Sequence, residues 1–103
     1  MTQPKSNNRY AHRYFADGRY EKIPVDKCPS FEKLQEWVGG YVTQAKVRFG
    51  ESNKICTMVM DEDGLPKRKP LNASATEFYR RMYPGVSSVI VGDVVIFEGF
   101  GLR

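Results

Sequence analysis

The run YVTQAKVRF, residues 41–49, constrains the fold more than any other stretch. Apolar and polar residues alternate in it with a period of two. Tyr41, Thr43, Ala45, Val47 and Phe49 point one way, and Gln44, Lys46 and Arg48 the other. A helix cannot sort these residues onto two sides, so the run is a half-buried strand. GESN then turns the chain, and KICTMVM follows as a second strand, antiparallel to the first in a hairpin. A lone hairpin is marginal in water and needs further strands or a helix against its apolar face.

The rest of the chain supplies both. Arg19–Val25 reads as a first strand with Tyr20, Ile23 and Val25 as its apolar members; Pro24 cannot donate to a ladder, which puts this strand at an edge or a break. A helix starts at Ser30 and carries Phe31, Leu34, Trp37 and Val38 on one face until Gly39-Gly40 stops it. Asn72 or Ser74 caps a second helix, Ser74-x-x-Glu77 fitting a capping box, with Ala75, Phe78, Tyr79 and Met82 as its stripe. Pro84-Gly85 closes it. VSSVIVGDVVIF is a dense β run, with Gly92-Asp93 as a bulge or turn. The expected order is βαββαβ, an α+β two-layer sandwich with both helices on one face of a mostly antiparallel sheet. A ferredoxin-like arrangement is the first expectation, and a rearranged sheet with a split final strand the alternative. Residues 19–103 form this single domain. Residues 1–18 are expected as a flexible basic and aromatic arm, with a turn at Asp17-Gly18.

A chain of 103 residues buries a modest share of its surface, so a homodimer would help it. No apolar run approaches the roughly 20 residues of a membrane span, and MTQPKSNNRY lacks the apolar stretch of a secretory signal. The expectation is an intracellular protein with no membrane partner. Cys28 and Cys56 have no spacing that demands a disulfide and read as reduced, partly buried thiols. With a single histidine they give none of the close ligand pairs of a zinc site, so no metal or cofactor is expected.

The net charge of +4 is concentrated in two places. Residues 66–81 hold Lys67, Arg68, Lys69, Arg80 and Arg81 against Glu77. The preceding Asp61, Glu62, Asp63 and Gly64 fail as a calcium loop, because the glycine comes fourth and Asn72 stands where the closing glutamate belongs. Pro66 and Pro70 are expected to hold Lys67, Arg68 and Lys69 extended, so that either Lys67 and Lys69 act together or Arg68 acts alone. With Asn72, Ser74 and Thr76 at the start of the second helix they form a candidate phosphate site. The competing reading is a solvated loop whose helix cap is filled by Ser74 and Glu77. The second concentration is RYAHRYFADGRY, where Arg9, Tyr10, Arg13, Tyr14 and Arg19 suit a single-stranded nucleic acid, stacking bases and pairing phosphates. Its competing reading is an arm whose aromatics pack on the domain.

LQEWVGGYV (34–42), MVMDEDGLPKRKPLNASATEFY (58–79) and VIVGDVVIFEG (89–99) together resemble an uncharacterised family of small proteins from phages, large DNA viruses of algae, plasmids and bacteria. The matching positions are Leu34, Gln35, Val38, Gly39, Gly40 and Tyr41; Asp61, Glu62 and Gly64; Leu71, Asn72, Ala75 and Thr76; and Ile90, Gly92, Asp93, Val94, Val95 and Ile96. Asp61 departs from the family's asparagine, and the first 30 residues are particular to this chain. The resemblance implies a viral or mobile-element source, hence host cytoplasm or nucleus, and carries no settled activity. No phosphate-binding loop, dinucleotide fingerprint, nucleophile elbow or metal-hydrolase histidine pair is present, so no enzyme and no catalytic residue is expected. The function expected first is a small non-enzymatic accessory protein that binds phosphate-rich ligands, nucleic acid or a sequestered nucleotide, through its basic residues; the alternative is a module that docks on a host factor or minor virion component through a sheet edge.

Overall fold

The computed structural model describes residues 9–98. The 41–61 hairpin forms as the alternation dictates: β3 (Val42–Phe49) and β4 (Lys54–Asp61) pair in register from Val42↔Asp61 to Phe49↔Lys54. The first helix, α1 (Phe31–Val38), is capped by Ser30, whose hydroxyl accepts from Lys33 N, and ends at Gly39 with φ +81. The second, α2 (Ala73–Met82), is capped by Asn72. The first expected strand is β2 (Tyr20–Pro24), and it lies at a sheet edge as its proline requires. The β run near the C-terminus is a strand only over β5 (Val94–Glu98), preceded by an isolated bridge between Leu71 and Val91.

One strand was not expected. Residues 10–14, placed above in a flexible arm, form β1 (Tyr10–Tyr14), which pairs with β2 on one side and β5 on the other. Ala11 is fully buried and His12 nearly so. The interleaving of aromatics and bases is a β alternation: Tyr14 and His12 pack against Phe49 on one face, and Arg13 lies over Trp37 on the other. Residues 1–8 of the expected arm lie outside the described residues.

The α+β class holds, with helices packed on an open antiparallel sheet of order β2-β1-β5-β4-β3. The ferredoxin-like order does not. That order would set the first strand between the third and the last, whereas here β5 lies between β1 and β4. The helices also do not share a face. Cys56, Met58, Val94 and Ile96 pack with Ala75 and Phe78 of α2, while their neighbours Val59, Val95 and Phe97 pack with Leu34 and Val38 of α1. Successive strand residues face opposite ways, so α1 and α2 cover opposite faces. The topology explains this. The connection from β2 to β3 carries α1 across the whole sheet, whereas α2 links antiparallel neighbours β4 and β5.

Candidate functional site

The charged stretch from Asp61 to Lys69 folds around its own first acid. The Asp61 side chain is 1% exposed, and Lys67 and Lys69 both place their ammonium groups on its Oδ2, at 2.9 and 2.7 Å. Asp63 N donates to Oδ1. Burial pushes the Asp61 carboxyl up, but the hydrogen bonds from Lys69, Lys67 and Asp63 outweigh it, and it falls to about 2. The same two ammonium groups cap the end of α1. Lys69 Nζ donates to Val38 O at 2.8 Å, and Lys67 Nζ to Gly39 O at 3.2 Å. The last turn of α1 has no base of its own, so these lysines supply the positive charge its carbonyls favour. Gly40 admits this approach: a Cβ there would sit 2.6 Å from both Asp61 oxygens and from Lys67 Nζ.

The segment between the prolines is coiled and not extended. Lys67 N bonds Asp63 O, Arg68 N bonds Leu65 O and Lys69 N bonds Gly64 O. With Arg68 at φ +59, the last two bonds make a Schellman turn with arginine in the left-handed place glycine usually takes. Pro66 permits this because its fixed φ suits a first helical turn, where the missing N–H is not needed. From this coiled backbone, and not the expected extended one, Lys67 and Lys69 converge on Asp61. Arg68 is exposed, and its side chain has no ion pair or hydrogen bond among the described residues.

The helix-start residues are spent as well. Asn72 is 1% exposed; its Oδ1 accepts from Ala75 N, and its amide donates to Tyr14 O and Gly92 O. Thr76 is buried, with Oγ1 bonded to Ile90 N and Ile90 O. Ser74 lies inside α2 and is not its cap. The six residues of the candidate phosphate site therefore do not gather on one ligand. Lys67 lines a cavity of about 310 Å³ with Gln35, Gly40, Tyr41 and Asp63, while Thr76 lines a different groove.

Of the candidate nucleic-acid residues, Tyr10, Arg13 and Tyr14 lie in β1, and Arg9 and Arg19 flank the two strands. Arg9 donates to Asp26 O, Arg13 pairs with Glu21 at 3.2 Å, and Arg19 pairs with Asp17 at 2.9 Å. Lys22 lies over the Tyr10 ring. Tyr14 packs edge-on to Phe49 and Phe78, and burial pushes its hydroxyl up to about 12.

Two features were not anticipated from the sequence. The first is a relay on buried His12. Its Nε2 lies 2.7 Å from Glu98 Oε1 and its Nδ1 2.8 Å from the Tyr20 hydroxyl, while Lys54 meets Glu98 Oε2 at 2.9 Å. A carboxylate only accepts, so Nε2 carries the proton and Nδ1 accepts from Tyr20. Burial lowers His12 and raises Tyr20, which leaves the imidazole neutral and the hydroxyl protonated. The relay clamps edge strand β2 to the sheet. The second feature is an open groove of about 560 Å³ along α2, between Leu71, Ala73 and Thr76 on one side and Val89 on the other. Its arginines are committed, Arg80 to the Ser87 and Ser88 carbonyls and Arg81 to Glu77 and Gly50 O.

Among the described residues the outer edge of β3 is also open. Tyr41 O accepts from Glu62 N of the neighbouring chain segment, which fixes the phase of the ladder. Thr43, Ala45, Val47 and Phe49 then turn their N–H and C=O toward β4, and Val42, Gln44, Lys46 and Arg48 turn theirs outward. Among the described residues nothing pairs with that outer row. The opposite edge, β2, is shorter and ends in Pro24, a common way to blunt an edge.

Among the described residues no three metal-ligating side chains gather, and no helix is long and apolar enough to cross a membrane. Cys28 is exposed and Cys56 buried, both as free thiols. Comparison with protein-family models, curated proteins and solved structures finds no match for this chain.

Proposed function

We propose that the protein is a non-enzymatic interaction module that docks on another protein by pairing a partner strand with the outer edge of β3. The observation that carries this reading is the eight-residue strand with four outward backbone positions and no cover among the described residues. An added strand gains main-chain hydrogen bonds at such an edge, and alternate side chains select it. The phosphate-ligand reading has less support, since Lys67 and Lys69 are bound to Asp61 and α1, and Arg9, Arg13 and Arg19 each have a partner within the chain.

Gln44→Pro tests the reading. It removes one outward donor and leaves the bonds to β4 intact. The expected result is a variant that melts near the parent temperature but no longer retains partner chains that the parent captures from cells. Identical capture by the two proteins would contradict edge docking. A retardation assay with single- and double-stranded nucleic acid, at low and high salt, checks the phosphate reading in parallel.

A further inference from the structure

The charge pattern of β3 narrows the partner further. This step rests on edge docking as proposed above. All four residues that face outward, Val42, Gln44, Lys46 and Arg48, carry their side chains on the α1 face of the sheet, and the last three are polar. The neighbours of those three across β4 are Val59, Thr57 and Ile55, so no carboxylate stands opposite either base. Lys46 Nζ donates to Thr57 Oγ1 and Arg48 to Asn53 O, and neither forms an ion pair among the described residues. Elsewhere in the sheet a base does meet its acid across strands: Arg13 pairs with Glu21 between β1 and β2, and Lys54 with Glu98. The side of Lys46 and Arg48 away from β4 is where the next strand would run.

We infer that the occupant of the β3 edge is an extended segment with acidic residues at alternate positions, and not a second copy of this chain. Opposite charges directly across a strand pair stabilise it, and like charges destabilise it. Antiparallel pairing of two β3 strands would bring the Lys46 and Arg48 of both chains to one face, opposite or diagonal to each other. An acidic partner strand meets the same row with the charge it lacks on β4. The basic row thus guards the edge against self-pairing and selects an acidic occupant.

The test uses the full chain, labelled with ¹⁵N, and three synthetic eight-residue strands that alternate valine with glutamate, threonine or lysine. The glutamate peptide is expected to shift the amides of Val42, Gln44, Lys46 and Arg48. It should bind at least tenfold more tightly than the lysine peptide, with affinity that falls as salt rises. Lys46→Ala with Arg48→Ala should erase that preference while the amides still respond. Equal binding of the threonine and glutamate peptides at these amides would overturn the acidic partner and leave edge docking standing. No shift of the β3 amides with any peptide would overturn edge docking itself. Concentration-dependent shifts of the same amides without peptide would identify a second copy as the occupant and overturn the inference.

Discussion

Two pairs of bases, each spaced two residues apart, end in opposite circumstances. Lys67 and Lys69 close on buried Asp61 and on the last carbonyls of α1. Lys46 and Arg48 stand on an open strand edge with no acid across from them. Both pairs look alike in sequence. What separates them is whether the fold has already supplied the counter-charge. A cation held by a buried carboxylate and two carbonyls has little left to offer a ligand, whereas one on an unfinished sheet does. The more conspicuous run of charge is therefore structural, and the less conspicuous one is left without a counter-charge among the described residues.

The comparison breaks most readily at Asp61. Replacing it with alanine leaves two ammonium groups facing α1 carbonyls without their carboxylate. Loss of one partner of a buried pair costs about 3–5 kcal/mol, and the partial exposure of Lys67 places this site near the lower figure. Urea unfolding followed by the fluorescence of Trp37 measures it. A loss under about 1 kcal/mol would mean that the cluster is not what holds this loop.

Acid sharpens the same point. Asp61 titrates at about 2 in the folded chain, against roughly 3.9 when unfolded. A depressed folded value stabilises above the unfolded one, so about 2.5 kcal/mol is present at neutral pH and is lost as pH falls from about 5 toward 2. His12, lowered by burial and only partly restored by Glu98, acts in the same direction at higher pH: its contribution fades as pH drops below about 6.5. Melting temperature against pH should fall in two stages, and Asp61→Ala should shrink the lower one, leaving the share of Glu98, whose carboxyl is held low against its burial by hydrogen bonds from Lys54 and His12.

A smaller effect is expected at Arg68. A side chain in the left-handed region costs about 1 kcal/mol, which glycine avoids. Arg68→Gly is expected to stabilise the chain by about 0.5–1 kcal/mol in the same unfolding measurement. A destabilised variant would show that the arginine side chain holds a contact of its own.

Much of the fold was legible. The strict alternation of β3, the cap and glycine stop of α1 and the proline at the end of β2 are local signals, and each marks its element. The opposite placement of the helices was also written in the chain: Cys56–Val59 and Val94–Phe97 are buried at every position, as strands covered on both faces must be. Those runs resemble any dense β stretch unless the count of covered faces is asked of them. β1 was obscured because its buried members are alanine and histidine and its half-buried ones include two tyrosines, residues that also suit a binding arm. The candidate site was less legible. The bond between Asp61 and the lysines depends on a tight turn, whereas two flanking prolines favour extended backbone. The open edge depends on strand order, which no local pattern carries.

The difference between the two pairs of bases is tested most directly by unfolding two double variants side by side, Lys67→Ala with Lys69→Ala and Lys46→Ala with Arg48→Ala. The first strands a buried carboxylate and is expected to lose about 3 kcal/mol or more. The second removes two bases that form no ion pair among the described residues, Lys46 exposed and Arg48 half-buried, and is expected to stay within about 0.5 kcal/mol of the parent. Equal losses, or a larger loss in the second variant, would contradict the assignment of one pair to structure and the other to binding.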